Sequence, residues 1–260
     1  MLGHVAGAAL MFDTYCSPMH VTPRALRAGI VLLVATAVLG SAHFVRFARR
    51  GWFADLPGGS AAWFDLNEEY SFGAWFSVVV LALVAAAAAI AAMAETGRRR
   101  VAWGTLAFLV CLLSIDDKIM VHERLPELFG IERQTMATHE WLLPGLIIGG
   151  IGVAVLWYLV QALDRPVKWG LLCGLVVFAF GAIVVEGFTG ALTRQLSPEW
   201  ARAAMPHWVL LEEVLENVGS IIALVTIFNH LDRTGVLAFA PRATDPSTRK
   251  DQPPRNEAAL

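Results

Sequence analysis

The chain has 260 residues, of which 57% are apolar and only 16% charged, with a mean hydropathy of +0.58. Soluble domains carry about 25% charged residues, so this composition excludes an ordinary soluble domain and points to a chain largely embedded in lipid. A net charge of −2, with no large basic patch, excludes a nucleic-acid partner.

Residues 1–26 form an uncommitted N-terminal segment, with Met1, Met11 and Met19 as alternative starts. A membrane-crossing helix needs about 20 mostly apolar residues to span roughly 30 Å of hydrocarbon. Six stretches meet this: 27–46, 73–93, 101–121, 142–163, 168–188 and 207–229. The first also resembles a cleavable signal peptide, since Arg24 and Arg27 precede it and Gly40-Ser41-Ala42 offers a small-residue cleavage site. Its apolar run continues to Phe47, which favours a retained helix. The second stretch, from Val78 to Met93, is almost free of polar atoms. In the fourth, Gly145 and Gly149 have the small-xxx-small spacing that lets helix backbones approach, within a bundle or between chains. The third and sixth are interrupted by acids near one end and are the least typical by hydropathy. Residues 232–260, rich in proline and charge, read as a solvated tail. The expected architecture is therefore an all-α, polytopic transmembrane bundle of about six spans over 27–231.

Cys16, Cys111 and Cys173 form no close-spaced pair and two lie within apolar runs, so they read as packing residues. Orientation is weakly marked. With the N-terminus inside, nine cationic residues near the membrane fall inside and eight outside. The Arg98–Arg100 triplet in a short loop favours an N-in, C-in arrangement.

Alternation of the spans puts 15 of the 22 acids on one side of the bilayer, together with His43, His122, His139 and His207. Acids in loops need no special account. Those inside or at the ends of spans do: Asp116, Asp117, Glu186, Glu212, Glu213 and Glu216. A carboxylate at mid-helix costs about 2.5–3.5 kcal/mol on insertion scales, less near the interface, and such groups face a bundle interior or a wet cavity. On a continuous helix Asp116 and Glu123 share one face, and Lys118 and His122 another. Glu212, Glu216 and Ser220 follow one another at one-turn intervals, flanked by Glu213 and Asn217.

Carboxylate and imidazole together suit iron, manganese or zinc. The candidate metal ligands are Asp116, His122, Glu123, His139, Glu186, Glu212 and Glu216. The chain has no Glu-x-x-His, His-x-x-His or His-Glu-x-x-His, so the usual di-iron bundle and zinc-protease templates do not match. His122-Glu123 and His139-Glu140 are adjacent pairs that diverge by about 100° on a helix, and both members ligate together only if the backbone bends. Trp52, Trp63, Trp75, Trp141, Trp200 and Trp208 lie on the acid-rich side, as an aromatic belt or a quinone or lipid-headgroup site would place them.

Three segments carry a further pattern: Phe64-Asp65-Leu66-Asn67-Glu68-Glu69 with Trp75-Phe76-Ser77, Leu113-Ser114-Ile115-Asp116-Asp117 through His122-Glu123, and Leu211-Glu212-Glu213 through Glu216-Asn217. The pattern resembles a family of uncharacterised bacterial multi-pass membrane proteins over about residues 63–217. The resemblance implies a bacterial inner-membrane location and no particular activity.

Three functions compete at this point. One is a metal-dependent enzyme acting on a lipid, quinone or other amphiphile, its metal activating water or oxygen. A second is a cation or proton carrier, which needs polar residues through to the opposite side, where Thr36, Thr105 and Asn229 are sparse. The third is an accessory subunit of a membrane complex, its acids satisfied by Lys118, Arg124, Arg194 and Arg202.

Overall fold

The computed structural model describes residues 20–48, 57–130, 138–195 and 197–237, except for the side chains of 57–59, 198, 201 and 202. Most of the N-terminal segment and of the tail lie outside the described residues, as do Cys16, Trp52, Asp55, Glu132 and the Arg202 side chain.

Seven helices and no strand are formed by the described residues. They are α1 (Pro23–Ala48), α2 (Phe72–Ala94), α3 (Gly97–Ile119), α4 (Val121–Leu128), α5 (Leu142–Val160), α6 (Arg165–Gln195) and α7 (Pro198–Arg233). A short 3-10 helix, Pro57–Phe64, precedes α2. The starts follow local chemistry. Pro23 opens α1, where its missing N–H costs nothing, and the Thr22 hydroxyl accepts from the Ala25 N–H. Ser71 caps α2 by accepting from the Ala74 N–H at 3.1 Å.

Among the described residues four helices are long and apolar enough to cross a membrane: α1, α2, α5 and α6. Six spans are not supported, and the third and sixth stretches differ from expectation for separate reasons. In α3, Arg98–Arg100 and Asp116–Lys118 fence off the apolar residues between them. That leaves 101–115, roughly 22 Å of helix against roughly 30 Å of hydrocarbon. Helix α7 interrupts its apolar run with Glu212, Glu213, Glu216, Asn217, Asn229 and His230. It packs against α1, α2 and α6, and it buries Asn217, Ser220, Ile221, Leu224, Thr226, Ile227, Asn229, His230 and Leu231. By contrast α1 and α5 present Ile30, Val31, Val34, Ile147, Ile148 and Ile151 outward.

The apolar core fills the half of the bundle around the α2–α3 turn and the C-terminal part of α7. It joins Val84, Ala88, Ala91, Trp103, Leu106, Val160, Leu171, Leu224, Ile227 and Leu231. Beyond it, Arg99 holds Asp164 through both guanidinium NH2 groups at 3.0 Å and reaches Glu95, whose carboxylate lies 3.5 Å from His230.

Glycines bring α6 against α7. A Cβ on Gly174 would stand 2.7 Å from the Gly219 carbonyl oxygen, and one on Gly219 would stand 2.5 Å from the Phe178 nitrogen. Around Gly149 a Cβ would meet nothing within 4 Å. Within the chain, close approach between helices is therefore at Gly170, Gly174 and Gly219, whereas at Gly145 a Cβ would meet the Trp141 ring at 2.6 Å. Farther along α6 the helix widens into a π turn, Phe180–Val185, immediately before Glu186. Such turns insert a residue and re-aim the side chains that follow.

Candidate functional site

Helix α3 does not continue through His122. Met120 adopts a left-handed conformation (φ 51°) that ends α3 and begins α4. The expected shared faces of Asp116 with Glu123, and of Lys118 with His122, are therefore replaced by a turn. The turn folds His122 back onto Asp116. Asp116 Oδ1 accepts from the His122 backbone N–H at 2.8 Å, and Oδ2 lies 2.9 Å from the ring Nδ1. The bend lies before His122 and Glu123, which both sit in α4, so their divergence on the helix stands.

From His122 the contacts run on to α6. The His122 ring meets the Trp141 indole edge to face at 4.8 Å, and Trp141 Nε1–H donates to Glu186 at 2.8 Å. Trp141 thus bridges two of the expected site residues, a role that an aromatic belt did not foretell.

Helix α7 offers its acids on two adjoining faces. One abuts the π turn of α6: a Cβ on Gly181 would lie 2.9 Å from the Glu212 carbonyl and 3.0 Å from Glu216 Cγ. The other faces α2. There the Ser77 hydroxyl donates to Glu213 at 3.3 Å, while Asn217 Nδ2 donates to Ser77 Oγ at 3.0 Å and to the Glu213 carbonyl at 2.9 Å. Glu216 lies in electrostatic range of Glu213, Glu212, Asp117 and Glu186. The structure therefore gathers Asp116, His122, Glu186, Glu212 and Glu216 into one region and adds Asp117, Glu213, Ser77 and Asn217. Ser77 carries little sequence signal beyond being a hydroxyl in an apolar run, whereas Asn217 stands one turn after Glu213.

Glu123 and His139 lie at the edge of this region. Glu123 is exposed and within range of Glu69, His122, Glu186 and His139. His139 packs on Gly190 of α6, and Arg194 there pairs with Glu140 at 2.7 Å. Outside the spans, three shifts follow from these neighbours. Burial and then Glu123 raise Glu69 above the usual carboxylate range. Burial opposes the charged form of His122, but its bond to Asp116 prevails and raises it. Burial, with Arg194 nearby, lowers His139.

His43 has a structural role. Its Nδ1 accepts from the Leu66 N–H at 3.0 Å, so Nε2 carries the proton and donates to the Pro206 carbonyl at 2.9 Å. Both ring nitrogens are spent holding α1, the 65–66 segment and α7 together.

Among the described residues no lysine or arginine pairs with Asp116, Asp117, Glu186, Glu212, Glu213 or Glu216. Arg194 goes to Glu140, and Lys118 donates to the Glu69 backbone carbonyl at 2.6 Å. Two oxygens, Asp117 Oδ2 and Asn217 Oδ1, are buried with no donor. Among the described residues no three histidine, cysteine or acidic side chains converge closely enough, as they stand, to hold a metal ion.

An all-helical protein with four long apolar helices, compatible with a membrane location, and a carboxylate cluster packed inside it is the class that fold and site define. The chain belongs to the family described as domain of unknown function DUF8692, whose model matches residues 26–231. No curated protein and no solved structure matches it.

Proposed function

We propose that this is an integral membrane protein that binds a cation in the carboxylate-lined region between α2, α3, α6 and α7, and acts there on a lipid, quinone or other amphiphile. One observation carries the reading: the region is rich in acceptors and poor in donors. Ionised carboxylates only accept. The Asn217 amide spends its N–H groups on Ser77 and the Glu213 carbonyl, and its own oxygen has no donor, like Asp117 Oδ2. Buried oxygens without a partner cost about 1–3 kcal/mol each, more when charged, and a bound cation removes that cost. Carboxylates beside the His122 imidazole favour iron, manganese or zinc, after Glu212, Glu213 and Glu216 turn toward a common point.

A second reading replaces the metal with protons shared among Glu213, Glu216 and Asp117, and the lack of a ready three-ligand convergence among the described residues favours it. Transport across the bilayer fits less well. Beyond Ser220 the interior is filled by Leu224, Ile227, Trp103 and Leu231, and the Thr226 hydroxyl is taken by the Ile222 carbonyl. The accessory-subunit reading loses part of its support, because among the described residues Lys118, Arg124 and Arg194 make no ion pair with the interior acids; the Arg202 side chain lies outside them. The resemblance to bacterial multi-pass proteins supports an inner-membrane location, and Arg98–Arg100 supports a cytoplasmic α2–α3 turn with the acid cluster toward the outer face.

Elemental analysis of the detergent-purified full chain is the test. One divalent metal per chain, lost in Glu216→Ala, is the expected result. A folded chain that holds no metal and shows no heat of binding with Mn²⁺, Fe²⁺ or Zn²⁺ overturns the metal reading and leaves the proton reading.

A further inference from the structure

We propose that the crevice at the α3–α4 turn seats the headgroup of an anionic lipid drawn from the surrounding bilayer. The crevice measures about 730 Å³, and its lining combines two cations, Lys118 and Arg124, with apolar Ile119, Val121 and Leu128. Those apolar side chains are exposed, as is neighbouring Phe129. A short helix that shows apolar side chains outward beside cationic ones has the make-up of an interfacial element, its apolar part among acyl chains and its charges at headgroup level.

The cations suit a phosphate. The Lys118 ammonium is steadied by one bond to the Glu69 carbonyl, and an ammonium has three donors, so two remain. Arg124 is exposed and has no acidic partner among the described residues, leaving its planar fork of donors open to phosphate oxygens. Among the described lining residues Glu127 is the one acid, and Glu69 and Asp117 lie in electrostatic range of Lys118, so Arg124 carries most of the preference. Position adds a functional point. The left-handed Met120 lies in the crevice lining and is also the hinge that folds His122 onto Asp116. A lipid headgroup here therefore sits beside the carboxylate region. This names an anionic lipid as the class of amphiphile, and as a substrate assignment it rests on the reading above, while the binding itself does not.

The test uses the full chain, delipidated in neutral detergent and then exposed to phosphatidylcholine vesicles with or without phosphatidylglycerol, retained lipid being read by native mass spectrometry. Retention of phosphatidylglycerol is expected to exceed that of phosphatidylcholine by about fivefold, the worth of one uncancelled cation at a membrane surface, and to weaken with salt. The exposed single variant Arg124→Gln should reduce the preference, and Lys118→Gln/Arg124→Gln should abolish it, with helicity unchanged. Glu216→Gln should leave it intact, so failure of cation binding and failure of lipid binding are read separately. Equal retention of the two lipids, or a preference that survives the double variant, overturns the proposal.

Discussion

Asp116 holds His122 by two separate bonds, one to its backbone N–H at 2.8 Å and one to its ring Nδ1 at 2.9 Å. One carboxylate thus starts helix α4 and fixes the imidazole facing Trp141. Because the pair raises the His122 pKa above its usual value, its stabilisation is complete below the unfolded value of about 6.5 and disappears as pH rises through the higher folded value. Asp116→Asn should therefore lower thermal stability most near pH 6, by about 1 kcal/mol for a partly exposed pair. The deficit should shrink in alkaline buffer. A deficit that does not change with pH would rule out a charged His122 as its source.

Asn217 and Ser77 are expected to act as a unit. Each singly substituted by alanine should cost about 1–3 kcal/mol, because its buried partners lose a bond. The double variant should cost less than the sum, with a coupling of about 0.5–1.5 kcal/mol in detergent unfolding. Strict additivity would mean that the 3.0 Å bond between them contributes nothing.

Glycine positions separate packing from propensity. Gly219→Ala places a methyl against the Phe178 and Gly174 backbones and should lose about 1–3 kcal/mol or more through overpacking. Gly149→Ala meets open space and should gain up to about 1 kcal/mol from helix propensity. Thermal midpoints of the two variants should move in opposite directions.

Met120 carries strain, as a non-glycine residue at φ 51°. Met120→Gly should leave stability unchanged or raise it by up to about 1 kcal/mol. Met120→Val, β-branched at the same angle, should lower it. Both are measurable by thermal unfolding in detergent.

The apolar runs of α1, α2, α5 and α6 were legible because the hydrocarbon interior demands continuous apolar length, and such length is a one-dimensional property of the chain. The acids Asp116, Glu186, Glu212 and Glu216 stood out for the complementary reason, being costly where they are. What could not be read was the set of partners. The π turn that aims Glu186, the Trp141 indole that reaches it, and Ser77 lying against Asn217 across 140 positions all depend on side chains from distant segments.

The sequence by itself determined a helical, lipid-compatible chain and a carboxylate-rich region, because burial cost and helix length act residue by residue. Only the tertiary structure decided that α7 packs against α1, α2 and α6 at once. It also decided that His122 turns back onto Asp116 through a left-handed Met120, and that among the described residues the interior acids lack basic partners. Those outcomes rest on which helices pack together. Packing is decided by shape at positions such as Gly174 and Gly219, which hydropathy does not register.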